Sequence, residues 1–373
     1  MLYYVSAIVE TVQEQISNQM DRIGLKHLVL TYTMNRREAL RQSPVETLSY
    51  QSKSAARGPI LYLKRHRDAA RFFMKHISFS KDDVLHANMM FGDGSVCRYI
   101  SERRNTRYVV TVRNTDLNVR FLWRLPWIRK TGLRVLQGAD RVIFLSEAYR
   151  KELLSRIPDP ARETVGKKSV IIPNGIDDFW FDHAYRPHEG VSDPVRILTV
   201  GRIERNKNQV TVAKAIDHLI RENGSNARYT VIGDVSDDAY AGELRQYPFV
   251  EFKPFMPKEE LIAEMRSADL YVMVSYTESF GLVYAEALTQ GLPIVYTKGQ
   301  GFDGQFEEGA VGCSADSHDA ESVAAAILRI LPRYREIGRN TVPCSQRFRW
   351  SSCIREIAAC YEAKPETGNC QNE

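Results

Sequence analysis

Short apolar runs alternate with stretches of helical period along most of this chain, and that alternation constrains the fold more than any single motif. Tyr108 to Val112, Arg141 to Leu145, Ile197 to Val200, Tyr229 to Ile232, Leu270 to Val274 and Ile294 to Tyr296 are short and rich in Val, Ile and Tyr. Such runs read as buried strands. Strands separated by helices point to parallel sheets in an α/β architecture. A chain of 373 residues is long for one domain, so two are expected.

One strand leads into a segment with chemistry. After Ala268 to Ser275 comes Glu278-Ser279-Phe280-Gly281-Leu282-Val283-Tyr284-Ala285-Glu286, which turns helical and stops at Gly291 with Pro293 beyond. Glu278 then projects from the loop at the strand's carboxyl end, and Glu286 lies about two turns into the helix. The backbone N–H groups of Phe280, Gly281 and Leu282 point outward at the helix start, where unpaired donors and the positive dipole end favour an anion. Carboxylates repel phosphate but accept hydrogen bonds from sugar hydroxyls. Phosphate and hydroxyls together suggest a nucleotide sugar.

A second loop fits the same ligand. Val195 to Val200 reads as a strand, followed by Gly201-Arg202-Ile203-Glu204-Arg205-Asn206-Lys207 and a helical stretch from Gln209 to Arg221. Gly201 lets the backbone turn sharply. Arg202 and Lys207 offer a fork and a point charge to a diphosphate. Taken alone, the loop reads more readily as solvated basic surface.

Together these segments resemble the retaining glycosyltransferases of family 4, whose GT-B fold has two Rossmann-like domains with parallel sheets facing a central cleft. The family's Glu-x7-Glu around Phe-Gly-Leu is matched from Glu278 to Glu286, and its Gly-Arg-Leu-x-x-x-Lys loop from Gly201 to Lys207, with Ile203 at the Leu position. Its Ile-Pro-Asn-Gly-Ile-Asp junction is matched from Ile172 to Asp177. Lys298 to Gly304 looks like a loop of members that build bacterial surface polysaccharides. The resemblance covers about residues 83 to 362. It implies catalytic roles for Glu278, Arg202 and Lys207, with Gly201, Phe280, Gly281, Leu282 and Glu286 binding the donor. Glu278 would position the donor sugar and Glu286 hold the ribose. It also implies retention of configuration by same-face attack, with the leaving phosphate helping to take the acceptor's proton.

The first half departs from that family. Asp83 to Asn88 resembles a segment that ends His-Ala-His, but the second His is Asn88 here. Val109 to Asp116 aligns with a strand ending His-Gly-Ser-Asp, and Arg113 stands in place of its His. Arginine cannot act as a base at neutral pH but can donate hydrogen bonds. His86, Arg113 and Asp116 are assigned to the acceptor side, with the ordinary readings of a structural His and a turn-capping Asp standing beside that. The usual Gly-Gly of the first loop is missing between Ser6 and Glu14.

The expected division is 1–187 for an acceptor-binding Rossmann-like domain and 188–345 for a nucleotide-sugar-binding one. Residues 346–363 would form a helix crossing back to the first, and 364–373 a frayed polar tail. The boundary is read from the polar run between Trp180 and Pro194. Charge divides there: residues 1–187 hold 31 Lys and Arg against 19 Asp and Glu, and the rest hold 20 against 27. A basic half suggests an anionic partner. Two stretches concentrate the charge among apolar residues. Leu61 to Ile77 carries Lys64, Arg65, Arg67, Arg71 and Lys75; Arg120 to Lys130, with Arg134 beyond, carries Trp123 and Trp127. Such compositions suit an anionic membrane surface, although both could bury their aromatics and merely expose their charges.

Other chemistries find little support. There is no D-x-D, no metal-ligand spacing and no G-x-G-x-x-G, so neither metal nor other cofactor is expected. No nucleic-acid-binding motif appears. The cysteines (97, 313, 344, 353, 360 and 370) form no C-x-x-C pair and read as reduced thiols of a cytoplasmic protein. No apolar run of membrane-spanning length and no export signal is read, so attachment at the inner face of the membrane would be peripheral.

The expected function is therefore transfer of one sugar from a nucleotide-diphosphate sugar to a growing, lipid-linked surface glycan. Two alternatives from other classes stand beside it. One is a non-catalytic nucleotide-sugar-binding protein or partner subunit of the same fold; the other is a nucleotide-sugar epimerase.

Overall fold

The computed structural model describes residues 1–7, 11–33, 46–52, 59–118, 126–185 and 189–362. Two compact units emerge. The first comprises residues 1–145, 149–172 and the chain from 350 onward, and the second comprises 146–148 and 173–349.

The first unit holds a seven-stranded sheet, every pairing in it parallel. Its strands are β1 (Leu2–Ser6), β2 (His27–Tyr32), β3 (Thr47–Tyr50), β4 (Val84–Ala87), β5 (Arg107–Val112), β6 (Arg141–Phe144) and β7 (Ser169–Ile171). They lie in the order 3-2-1-4-5-6-7. Parallel neighbours need crossovers, and helices supply them. Strand residues alternate between two cores, as a period of two dictates. Tyr3, Val5, Leu85, Ala87, Val110, Val112, Val142 and Phe144 face one. Leu2, Tyr4, Val84, Val109 and Ile143 face the other.

That second core is closed by the helix Trp350–Glu362. Trp350, Cys353, Ile354, Ile357, Cys360 and Tyr361 fall on one helical stripe and bury there, with Ile16 and Met20 of the helix Thr11–Arg22. Trp350 Nε1 also donates to Gln15 Oε1 at 3.1 Å. Residues 364–373, read from the sequence as a frayed tail, lie outside the described residues.

The second unit holds a six-stranded parallel sheet of β8 (Val195–Val200), β9 (Ala227–Ile232), β10 (Val250–Lys253), β11 (Leu270–Val272), β12 (Ile294–Thr297) and β13 (Gly312–Ala315), ordered 10-9-8-11-12-13. Val212, Ala213, Ile216 and Leu219 of the helix Gln209–Asn223 cover one face with Val323, Ala326, Ile327 and Ile330 of the helix Ala320–Ile330.

The units divide between Ile172 and Pro173, earlier than the 187/188 boundary read from composition. The polar run after Trp180 misleads because the segment before it is already tied to the second sheet. Ile176 bridges Arg349 and donates to Phe348 O at 2.9 Å, Asp177 accepts from Lys258 at 2.7 Å, and Tyr185 N donates to Thr289 O at 2.9 Å.

Candidate active site

In each sheet the strand order reverses once, beside β1 in the first and beside β8 in the second. Loops leaving such a reversal splay apart and open a crevice at the carboxyl ends of the strands. In the second unit the loops after β8 and β11 flank it, and they carry the two segments singled out in the sequence.

These loops are pinned to each other. Asn206 Nδ2 donates to Thr277 O at 3.1 Å, and its Oδ1 accepts from Thr277 N and Oγ1 at 3.2 and 2.7 Å. Asn208, at φ 59°, donates from Nδ2 to Val274 O and Ser317 O at 2.9 and 2.7 Å. The frame sets Lys207 Nζ 2.7 Å from Glu278 Oε2. Glu278 is fixed from behind as well. Its N–H donates to Gln300 Oε1 at 3.0 Å, its carbonyl accepts from Gly301 N at 3.2 Å, and its Oε1 accepts from Ser279 N at 3.1 Å. Gly301 permits this approach, since a Cβ there would overlap the Ser279 carbonyl.

The helix Leu282–Thr289 begins at Gly281, which caps it at φ 77° with no side-chain cap. A Cβ at Gly281 would meet the Tyr284 ring. Phe280 is buried against Phe302 and Phe348, and Tyr284 OH donates to Met273 O at 2.6 Å, so the turn is rigidly based. Among the described residues the amides of Phe280, Gly281, Leu282 and Val283 have no hydrogen-bond partner. They form the anion-favouring end expected of an uncapped helix. Arg202, at the mouth of the β8 loop, is two-thirds exposed, with Glu204 at 3.3 Å. Gly201 lies against the Lys207 stem.

Glu286 sits inside the helix, with Asp177, Trp180 and Lys258 around it. Its pKa is pushed up to about 7, first by burial and then by the Asp177 charge, against the Trp180 hydrogen bond and Lys258. A ligand hydroxyl donating to it would favour the ionised form.

In the first unit, His86 does not face a crevice. It is 1% exposed, with Nδ1 against Tyr361 OH at 2.7 Å and Nε2 against Thr111 Oγ1 at 2.8 Å. Burial and Arg113 push its pKa down to about 3, so it is a neutral link between β4 and the C-terminal helix. Asp116 is likewise enclosed and accepts from Met90 N, Phe91 N and Arg113 N at 3.0, 3.3 and 2.9 Å. Burial raises its pKa to about 6 despite those bonds. It shapes the loops after β4 and β5 as a turn residue. Arg113 is partly exposed, and its fork grips Asn88 Oδ1 from Nε at 3.1 Å and Nη2 at 2.6 Å. Asn88 and Arg113, two of the positions at which this chain departs from the resemblance, therefore touch each other. Of the three acceptor-side candidates, Arg113 alone retains exposed surface. The first loop is shorter than Ser6 to Glu14, since a helix begins at Thr11 and only 8–10 lie outside the described residues.

Sequence reasoning missed Asn206, Asn208 and Gln300, which set the loops that carry the candidate residues. The Asn-Lys-Asn run was the available signal, because Asn tolerates left-handed backbone and caps turns.

A family model for glycosyl transferases group 1 matches residues 183–340, and one for glycosyltransferase family 4 matches residues 9–178. The chain belongs to glycosyltransferase family 4. A D-inositol 3-phosphate glycosyltransferase of Corynebacterium kroppenstedtii is 29% identical over 250 residues, covering 61% of this chain and 54% of that protein. The chain thus spans about half the length of this curated relative. Among solved structures, HepE of Anabaena in complex with UDP and glucose superposes with a TM-score of 0.67 at 16% identity, covering 97% of this chain and 99% of HepE. The lipopolysaccharide outer core galactosyltransferase WaaB gives 0.74 at 13% identity, covering 96% and 98%. At such identities the likeness establishes the GT-B fold.

Proposed function

We propose that this chain is a retaining, metal-independent glycosyltransferase that moves one sugar from a nucleotide-diphosphate sugar to a growing lipid-linked surface glycan. The observation that carries the reading is Lys207 held on Glu278, whose stem lies against Gly281 at the start of the open amides of Phe280 to Val283. That arrangement offers a cation and aligned dipoles to a diphosphate, beside a carboxylate that can accept from sugar hydroxyls. As the bond from the anomeric carbon to the diphosphate oxygen breaks, Lys207, Arg202 and the amides take up the developing charge. The acceptor oxygen bonds to the same face, and the departing phosphate oxygen receives its proton. Glu278 orients the donor sugar, and Glu286 accepts from the ribose.

The UDP and glucose named for HepE support a nucleotide-sugar donor, and the lipopolysaccharide substrate named for WaaB supports a surface glycan. A second reading, transfer to a small phosphorylated polyol, is favoured by the name of the Corynebacterium relative. Peripheral attachment to the anionic inner face of a membrane is part of the first reading. Its support is the exposed charge on Leu61 to Ile77 and beyond Pro126; Arg120, Phe121, Leu122, Trp123, Arg124 and Leu125 lie outside the described residues. No described helix is long and apolar enough to cross a membrane.

Incubation with UDP-sugars, a panel of glycan, lipid-diphosphate and polyol-phosphate acceptors, and EDTA tests this. Product of unchanged anomeric configuration, formed equally with chelator, is expected. An isomerised donor without transfer would replace the reading with an epimerase, and no turnover on any acceptor with intact donor binding would replace it with a binding subunit.

A further inference from the structure

The helices Pro59–His76, Gly92–Arg104 and Pro126–Gly138 of the first unit enclose a pocket of about 250 Å³. Its lining includes His66, Arg67, Arg98, Trp127, Lys130 and Arg134, and no carboxylate. The two basic stretches read from the sequence thus supply opposite walls of one concavity. Lys130 and Arg134 are four apart on their helix, so both face the same way, and such like-charged neighbours repel unless an anion lies between them.

The polar groups of the wall are left open. Among the described residues no carboxylate pairs with Arg67, Lys130 or Arg134. Arg98 reaches Glu102 through Nη1, while its Nε is buried with no partner. His66 is 1% exposed, and no side chain hydrogen-bonds to either ring nitrogen, its one polar neighbour being the Tyr62 backbone one turn earlier. It is wedged between the rings of Tyr32 and Tyr62, with centroids 5.6 and 4.3 Å away. A buried guanidinium Nε without a partner, next to an imidazole with no side-chain partner and a cation-lined cavity, is a costly arrangement in the absence of an acceptor.

We propose that this pocket is an anion site for a phosphate group carried on a small polar body, separate from the donor diphosphate site of the second unit. Arg67, Arg98 and Arg134 supply forks, Lys130 a point charge and His66 a ring N–H. Trp127, about one-third exposed, offers a flat wall to whatever bears the phosphate. The bearer is a phospholipid headgroup or a soluble phosphomonoester. The inference does not depend on sugar transfer.

The experiment uses the full chain without nucleotide. Wild type and Arg67→Ala/Arg134→Ala are titrated with inorganic phosphate and glycerol 3-phosphate by calorimetry at low salt. Both are also sedimented with phosphatidylglycerol and phosphatidylcholine vesicles. Lys130→Gln serves as a milder second variant, and hydrogen-exchange protection in β1, β4 and β5 checks that the first unit of each variant is folded. Saturable binding by wild type, weakened roughly a hundredfold in the double variant, is expected, because each lost charged hydrogen bond costs about tenfold or more. Binding to the soluble phosphates identifies a free phosphomonoester as the bearer. Binding to anionic vesicles alone, lost in the variant, identifies a headgroup. No saturable binding of any probe, or equal binding by wild type and folded variants, overturns the site.

Discussion

Lys207 donates from Nζ to Oε2 of Glu278 at 2.7 Å, joining the loop after β8 to the loop after β11. Both side chains are largely enclosed, so their attraction is less screened than that of a surface pair. Lys207→Ala therefore removes a charge for the leaving diphosphate and also leaves Glu278 without its counter-charge. Turnover should fall about 10²–10³-fold, the range for losing one preorganised donor. Arg202→Ala, at an exposed position paired with Glu204, should cost no more than that. Steady-state kinetics of both variants decide it: rates within threefold of wild type would remove these residues from the leaving-group site.

Glu278 and Glu286 should fail differently, because one faces the Lys207 loop and the other lies among Asp177, Trp180 and Lys258. Glu286→Gln should weaken binding of the nucleoside diphosphate itself. Glu278→Gln should spare that binding and slow transfer. Equal loss of nucleoside diphosphate affinity in calorimetry would contradict the division.

Asp93 gives the first unit a pH-dependent stability. Its Oδ1 accepts from Ala7 N and Tyr32 OH at 3.0 and 2.8 Å, while Oδ2 is buried without a partner. Burial raises its pKa from 3.8 to about 7. The folded chain thus holds this proton where the unfolded chain has released it. The contribution is fully present below the unfolded pKa and is lost as pH rises through about 7. Asp93→Asn should gain stability relative to wild type between pH 4.5 and pH 7.5, as read by urea denaturation at both. A difference that stays constant across that window would exclude Asp93 as its source.

Trp350→Ala should cost about 3–5 kcal/mol, as large-to-small changes at filled aromatic positions do. Trp350 is 2% exposed in the core shared with β1, β4, β5 and β6. Hydrogen exchange localises the loss: protection should drop in β1 and β4 and persist in β8 and β11. A uniform drop across both sheets would show that the damage is not confined to the first unit's core.

The sequence made most of the sheets legible because buried parallel strands such as Leu270 to Val272 must be apolar on both faces. It located the turn ahead of Leu282 because a helix start at Gly281 requires a residue that accepts positive φ. What it could not convey was pairing across distance. Nothing in the local pattern says that Asn206 grips Thr277 or that Gln300 steadies Glu278, some 71 and 22 residues apart. His86 looked chemical for the same reason: its two partners, Thr111 and Tyr361, come from elsewhere in the chain. The basic stretches were plain as composition, while their meeting across one pocket is a property of helix packing.

The placement of Trp350–Glu362 in the first unit has a consequence for biosynthesis. A chain emerging from the ribosome presents β1 to β7 early, yet one face of that sheet, covered in part by the helix Thr11–Arg22, is not closed until Trp350–Glu362 is made. The second unit, complete by Arg349, can close around its own core before then. Exposed strand faces attract other chains. Closing of the first unit's sheet therefore waits on synthesis of the whole second unit.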